Sequence, residues 1–221
     1  MATELAPQEG DLSTMRREYG VRPLRREELL ADPIEQFRRW FVEACNSGIT
    51  EPNAMSLATV SAEGQPTLRT VLLKEFDERG FVFFTNLESR KACQILCNPQ
   101  VALLFPWLQM QRQVSICGTA VRVSLTEVLT YFASRPVGSQ LAALISPQSR
   151  PISARAILEM KWEEARRKFA NGKIPLPGFW GGFRVRPREI EFWQGGEHRL
   201  HDRFSYKRKS DGDWAIEQLA P

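Results

Sequence analysis

No stretch of this 221-residue sequence approaches the roughly 18 apolar residues that a membrane-crossing helix needs. The opening residues, MATELAPQEGDLS, also lack the basic and apolar regions of a secretory signal. Both absences lead to the expectation of a cytoplasmic protein with no membrane partner. Histidine is scarce: only His198 and His201 occur, and the four cysteines, Cys45, Cys93, Cys97 and Cys117, form no C-x-x-C pair. So dispersed a set predicts no metal site and reduced, unpaired thiols. The chain has no internal repeat, no low-complexity tract and no glycine fingerprint of a dinucleotide fold. Its charge is close to balanced, with 30 Lys and Arg against 26 Asp and Glu, a surplus too small to imply nucleic acid by itself.

What is present is an ordinary globular composition, 43% hydrophobic and 25% charged, enough for one core. The first thirty residues, with RREYG at 16 to 20 and RPLRREEL at 22 to 29, carry no core periodicity. They are expected to form a mobile arm, 1–30, ahead of a single domain, 31–221. Arg22, Arg25 and Arg26 in this arm either bind a second phosphate or are solvated. Asp32 and Pro33 read as a helix N-cap and first position, followed by Ile34, Phe37, Phe41 and Ala44 at helical spacing up to Gly48. From Met55 the texture changes to short β-rich runs: MSLATVSA, TLRTVLLKE, FVFFTN, VALLFPW and QVSICGTAVRV. Turns at Glu63-Gly64 and Asp77–Gly80 predict antiparallel hairpins with adjacent runs paired. Helices are expected over Ser89–Asn98, from a Ser124/Glu127 capping box onward, and over Ser153–Ala170, closing at Asn171-Gly172. Three more strand-like runs, REIEFWQ, RFSYKRK and DWAIEQL, end the chain. The expected class is mainly β with α, an antiparallel barrel or sandwich flanked by helices.

Several polar clusters fall at strand ends and loops. Arg69 and Lys74 point to opposite faces of their strand, either as solvated charges or as ligands of something bound. Ser89, Arg90 and Lys91 open a helix, where free N–H groups and the dipole already favour an anion. Two cations there oppose helix stability, so the start is either simply solvated or built for a phosphate. Gln113, on a strand, has the donor and acceptor to meet a heterocycle edge. Tyr131, Arg135 and Ser139 follow at i, i+4 and i+8, the first two expected on one helical face, with Pro136 ending the helix between the last two. An Arg fork with two hydroxyls suits a phosphomonoester, unless Tyr131 is a core residue. Gln148 and Ser149 add donors in a loop. In FWQGGEHRLHDR, Trp193, Arg199, His201 and Arg203 crowd around Gly195-Gly196. If the segment is extended, the last three share one face, which either covers an aromatic, anionic ligand or forms a salt-bridged surface strand.

RREY at 16 to 19, RTVLLK at 69 to 74, TNLESRKA at 85 to 92, LLFPW at 103 to 107, RQV at 112 to 114, YFASRP at 131 to 136, FWGGFRV at 179 to 185 and FWQGGEHRLHDR at 192 to 203 together carry a resemblance. From about Arg16 to Pro221 the sequence resembles the pyridoxine 5'-phosphate oxidase family; the first dozen residues match nothing. The resemblance implies an antiparallel FMN-binding split β-barrel flanked by helices. It also implies a homodimer with two flavin sites between the chains. It places Arg69, Lys91, Gln148 and Ser149 around the FMN phosphate and ribityl chain, with Arg90, Gln113, Trp193 and Arg203 also on the flavin. The backbone of Arg69, Thr70, Val71, Leu72 and Lys74 and of Phe84 and Thr85 is implied to lie along it. Lys74, Tyr131, Arg135 and Ser139 are implied to hold the substrate phosphate. Arg199 and His201 would cover the pyridine ring as catalytic residues, and Arg16 and Tyr19 would close over it. The implied reaction oxidises pyridoxine 5'-phosphate and pyridoxamine 5'-phosphate to pyridoxal 5'-phosphate, by hydride transfer to FMN. Dioxygen is the electron acceptor and yields hydrogen peroxide. Two other classes remain open: a split-barrel flavoprotein for another substrate, and a non-catalytic binding module. Against a nucleic-acid module, the basic residues form small clusters of phosphate size and no continuous stripe.

Overall fold

The computed structural model describes residues 19–20, 22–170 and 172–221, so Arg16 lies outside the described residues. Its first helix, α1 (Pro33–Asn46), starts as the sequence predicts: the Asp32 carboxylate accepts from the Ile34 N–H at 2.8 Å, and Pro33 takes the first turn, where no N–H is needed. The buried stripe is Ile34, Phe37, Trp40 and Ala44, with Phe41 half-buried beside it. Phe37 is completely buried among Phe41, Phe76, Phe81 and Phe105, at ring-centroid distances of 4.9 to 5.7 Å. Truncating such a ring to Ala costs about 3–5 kcal/mol.

That helix covers a single antiparallel sheet of nine strands: β1 (Ala54–Val60), β2 (Pro66–Leu72), β3 (Glu75–Asp77), β4 (Gly80–Asn86), β5 (Gln100–Trp107), β6 (Arg112–Arg122), β7 (Trp180–Gln194), β8 (Asp202–Arg208) and β9 (Trp214–Leu219). The main order is β2-β1-β5-β6-β7-β4-β3, with β8 and β9 continuing from the second half of β7. Turns form at both expected places, where Gly64 and Gly80 supply the positive φ. Adjacent runs do not all pair, however: the second turn joins β4 to the short β3, β2 lies at the sheet edge against β1, and β4 does not pair with β5. Long-range pairs, β1 with β5 and β4 with β7, complete the sheet.

The strand run expected at REIEFWQ begins eight residues earlier, at Trp180. Gly181, Gly182 and Pro187 hid its first half. Gly182 lies opposite Phe84, whose ring leaves no room for a side chain, and Pro187 sits opposite Gly118, where the ladder slips by one residue and no N–H is required.

The remaining helices are α2 (Arg90–Cys97), α3 (Leu125–Ser134), α4 (Val137–Ile145) and α5 (Arg155–Lys168). The capping box at α3 is present in both directions, and the Glu127 carboxylate also takes a hydrogen bond from buried Arg184 at 2.9 Å. The Ser124 contacts and then Arg184 hold the Glu127 carboxyl down at about 2. Arg184 further pairs with Asp77 at 2.7 Å, so the start of α3 is tied to the β3–β4 hairpin.

Residues 22–30, expected to belong to the arm, instead join the body of the domain. Leu24 is in the core and its N–H donates to Asp202 at 2.9 Å; Gln194 donates to the Arg22 carbonyl. The Tyr206 hydroxyl donates to the Leu30 carbonyl at 2.8 Å, and burial pushes its pKa up to about 12.

Candidate active site

A cavity of about 650 Å³ opens between β2, the end of β4, the start of α2, and the α3–α4 junction. Its walls carry four cations, Arg69, Lys74, Lys91 and Arg135, and not one carboxylate among the described residues. An unoffset concentration of positive charge is unfavourable unless an anion completes it.

One cationic group gathers at α2. Ser89 is the N-cap, fully buried, and makes no side-chain cap to the helix; the first turn holds Arg90 and Lys91 and no acid. Lys91 is buried, with Nζ donating to Gln148 Oε1 at 3.0 Å and Thr85 Oγ1 at 3.2 Å. Burial, and then the charge of Arg69, push its pKa down to about 8. Arg69 is itself lowered by burial first and by Arg90 second. Mutually repelling, partly desolvated cations of this kind are suited to binding an anion.

The second group is built on stacked rings. Phe84, Tyr131 and Trp180 are near-parallel, with centroids 4.1 Å apart for Phe84–Tyr131 and 5.3 Å for Phe84–Trp180. The Arg135 guanidinium lies over Trp180 at 4.9 Å, and its Nη1 is buried with no hydrogen-bond partner among the described residues. Burial lowers the Arg135 pKa. A desolvated, unpaired guanidinium nitrogen is costly, and its natural complement is an oxyanion. Tyr131 and Arg135 do meet in the cavity wall with Ser139, but they do not share a helical face. Arg135 is the C-cap of α3 with extended backbone, and Pro136 caps α4, which carries Ser139 in its first turn. Proline at 136 disfavours helical backbone at 135, and that swings the side chain into the cavity.

The other expected residues lie elsewhere. Thr70, Val71, Leu72, Phe84, Thr85 and Gln148 do line this cavity. Gln113, Trp193 and Arg203 line a separate pocket of about 310 Å³ that shares no residue with the first. There Arg203 forms a two-pronged pair with Glu191, at 2.9 and 3.1 Å. Arg90 is exposed and lines a third recess with Cys93 and Cys97. Ser149, with φ +69, is exposed in the loop after Gln148 and is not part of the cavity wall.

The segment from Arg199 to Arg203 is not extended throughout. Residues Glu197–Arg199 form a 3-10 turn, and His198 and Arg199 take positive φ, so the alternation of Arg199 with His201 and Arg203 does not hold. Instead the Gly196 N–H donates to His201 Nδ1 at 3.1 Å, which leaves the hydrogen of a neutral imidazole on Nε2. His201 packs on Trp193 at 4.7 Å, and Tyr19 sits edge-on to both. Trp180, the platform beneath Arg135, escaped the sequence reading. It enters there only as part of the FWGGFRV motif at 179 to 185, with no role given to it.

Two family models match the chain: one described as pyridoxamine 5'-phosphate oxidase over residues 41–169, and one as the pyridoxine 5'-phosphate oxidase C-terminal dimerisation region over residues 180–221. A pyridoxine/pyridoxamine 5'-phosphate oxidase of Rippkaea orientalis is 58% identical over 211 residues, covering 96% of this chain and all of that protein. Among solved structures, PhzG of Burkholderia lata, in complex with tetrahydrophenazine-1-carboxylic acid, superposes with a TM-score of 0.84 at 29% identity, covering 88% of this chain and 95% of that one. A pyridoxamine 5'-phosphate oxidase-related, FMN-binding protein of Nostoc punctiforme gives 0.71 at 17% identity, covering 87% and 100%, and shares the fold.

Proposed function

The chain belongs to the pyridoxamine 5'-phosphate oxidase family, and we propose that it oxidises pyridoxine 5'-phosphate and pyridoxamine 5'-phosphate to pyridoxal 5'-phosphate, with FMN as cofactor, in the supply of vitamin B6 cofactor. The observation that carries this reading is a cavity with no carboxylate among the described residues and two cationic groups, one at a helix start and one on an aromatic platform. A phosphorylated cofactor and a phosphorylated substrate need two such groups.

The residues fit both ligands. Arg69 and Lys91 would hold the FMN phosphate, with Gln148 and Ser149 near the ribityl chain and the β2 backbone from Arg69 to Lys74, with Phe84 and Thr85, alongside. Arg90, Gln113, Trp193 and Arg203 are assigned to the flavin as well. Gln113, Trp193 and Arg203 occupy a pocket distinct from the phosphate cavity, which fits a homodimer in which one chain supplies each part. The matched dimerisation region carries Trp193 and Arg203. When bound, FMN supplies the hydride acceptor and the reactivity toward dioxygen that no side chain has. Lys74, Tyr131, Arg135 and Ser139 bind the substrate phosphate; Arg199, His201, Tyr19 and, outside the described residues, Arg16 would orient the pyridine ring and exclude water. No nucleophile and base pair is needed. For the alcohol, one dioxygen is consumed and one hydrogen peroxide formed; for the amine, one water is also consumed and ammonia released.

Cytoplasmic residence belongs to the same reading, supported by four unpaired thiols. A split-barrel flavoprotein with a phosphate-free substrate would have no use for the Tyr131, Arg135 and Ser139 group. The decisive experiment incubates FMN-loaded protein with pyridoxine 5'-phosphate in air and follows pyridoxal 5'-phosphate and peroxide together. Equal yields of the two are expected, and absence of both would refute the reading.

A further inference from the structure

Behind Arg69 lies a polar cluster in which β1, β2 and α2 meet. Thr59 and Thr67 face each other across the β1–β2 ladder, and Leu57 pairs with Arg69 two residues along. Thr59 is completely buried and Gln94, from α2, is 6% exposed. The Gln94 Oε1 accepts from both hydroxyls, at 2.6 Å from Thr59 and 2.7 Å from Thr67. Each hydroxyl has one hydrogen to give. With both hydrogens directed at Gln94, the oxygen lone pairs are turned toward the guanidinium. Arg69 Nη1 donates to Thr59 Oγ1 at 2.6 Å and to the Leu57 carbonyl at 3.0 Å, and Nη2 donates to Thr67 Oγ1. The reverse orientation of the Gln94 amide would aim N–H groups at oxygens already receiving guanidinium hydrogens.

We infer that Gln94, acting through Thr59 and Thr67, is a positioning residue that aims Arg69 at the FMN phosphate. The inference rests on the reading of Arg69 as a phosphate ligand given above. Of the five donors of a guanidinium, three are spent on Leu57, Thr59 and Thr67. The two left are Nε–H and the second Nη2 hydrogen, which lie along one edge of the planar fork. That edge is the one able to meet two oxygens of a phosphate at once. The cluster therefore does more than satisfy a half-buried cation. It selects which edge of the cation remains for the ligand, and it does so from the same helix whose first turn supplies Lys91.

Flavin titration of the apoprotein tests this, comparing FMN with riboflavin, which lacks the phosphate. Gln94→Met removes the shared acceptor. Thr67→Val removes one hydroxyl at nearly constant shape, at a half-buried position where folding is less exposed to damage, and Thr67→Ser returns it. Both Gln94→Met and Thr67→Val should weaken FMN binding by about three- to thirtyfold, the scale of one misplaced charge-assisted contact. Riboflavin affinity should stay at the parent value and Thr67→Ser should restore FMN affinity. A Thr67→Val protein that binds FMN like the parent, while Arg69→Ala loses it, would overturn the positioning role and leave the Arg69 assignment standing. Equal losses of FMN and riboflavin would overturn it too, as general damage. Undiminished FMN binding by Arg69→Ala would instead sink the phosphate assignment, and this inference with it.

Discussion

Replacing Arg135 with Ala should raise KM for pyridoxine 5'-phosphate about ten- to a hundredfold and leave the bound flavin in place. The magnitude follows from the surroundings of the side chain. Among the described residues no acceptor takes a hydrogen from its guanidinium, Nη1 is buried, and the ring of Trp180 covers one face at 4.9 Å. The cost of desolvating that cation is met in the free protein, so an arriving phosphate gains a charge-assisted contact worth roughly 1.5–3 kcal/mol. Removing an unpaired, partly buried cation should not lower the melting temperature, so the loss will read as a binding defect. Flavin retention is expected because Lys91 and Arg69, whose charges act on one another, lie at the start of α2 and on β2, whereas Arg135 lies at the α3–α4 junction. Unphosphorylated pyridoxine, which forgoes this contact, should be oxidised equally poorly by variant and parent. Arg135→Lys should recover only part of the loss, since an ammonium keeps the charge but neither the fork nor the flat face against Trp180. Steady-state kinetics on both substrates, with flavin content measured by absorbance, decide the point. An Arg135→Ala protein that lost its flavin, or kept the parent KM for the phosphorylated substrate, would refute the reasoning.

FMN affinity of the apoprotein should fall as pH rises above about 8, by at most about tenfold per unit, because Lys91 must then take up a proton before it can meet the phosphate. Its folded pKa is lowered, so between about 8 and 10.5 the unfolded chain holds the extra proton; apoprotein stability should therefore rise with pH across that window. A Lys91→Gln variant whose FMN profile fell just as steeply would exclude Lys91 as the source. Flavin-saturated protein should sediment as a dimer, since the phosphate cavity and the Gln113, Trp193 and Arg203 pocket share no residue. A flavin-loaded species of monomer mass would contradict it.

Much of the backbone was legible because its determinants are local. Asp32 with Pro33, the Ser124 and Glu127 box, and glycines at 64 and 80 each act within a few residues, and period-two runs mark the strands. The ordered motifs, in turn, made the family recognisable from the sequence alone. What the sequence could not disclose is which side chains meet across distant segments. Residues 180 to 187 looked too rich in glycine and proline for a strand, and only pairing with β4, which puts Gly182 opposite Phe84, shows why small residues belong there. That same pairing stacks Trp180 on Phe84 and so places a platform under Arg135, whose extended backbone breaks the helical face that its spacing from Tyr131 suggested. Arg199 and His201 likewise depend on two positive-φ residues that an alternating pattern does not reveal. Arg69 could be read from the chain as a cation on a strand. Its direction was decided by Thr59, Thr67 and Gln94, brought together from three elements, because a hydrogen-bond network is specified by tertiary neighbours and not by position along the sequence.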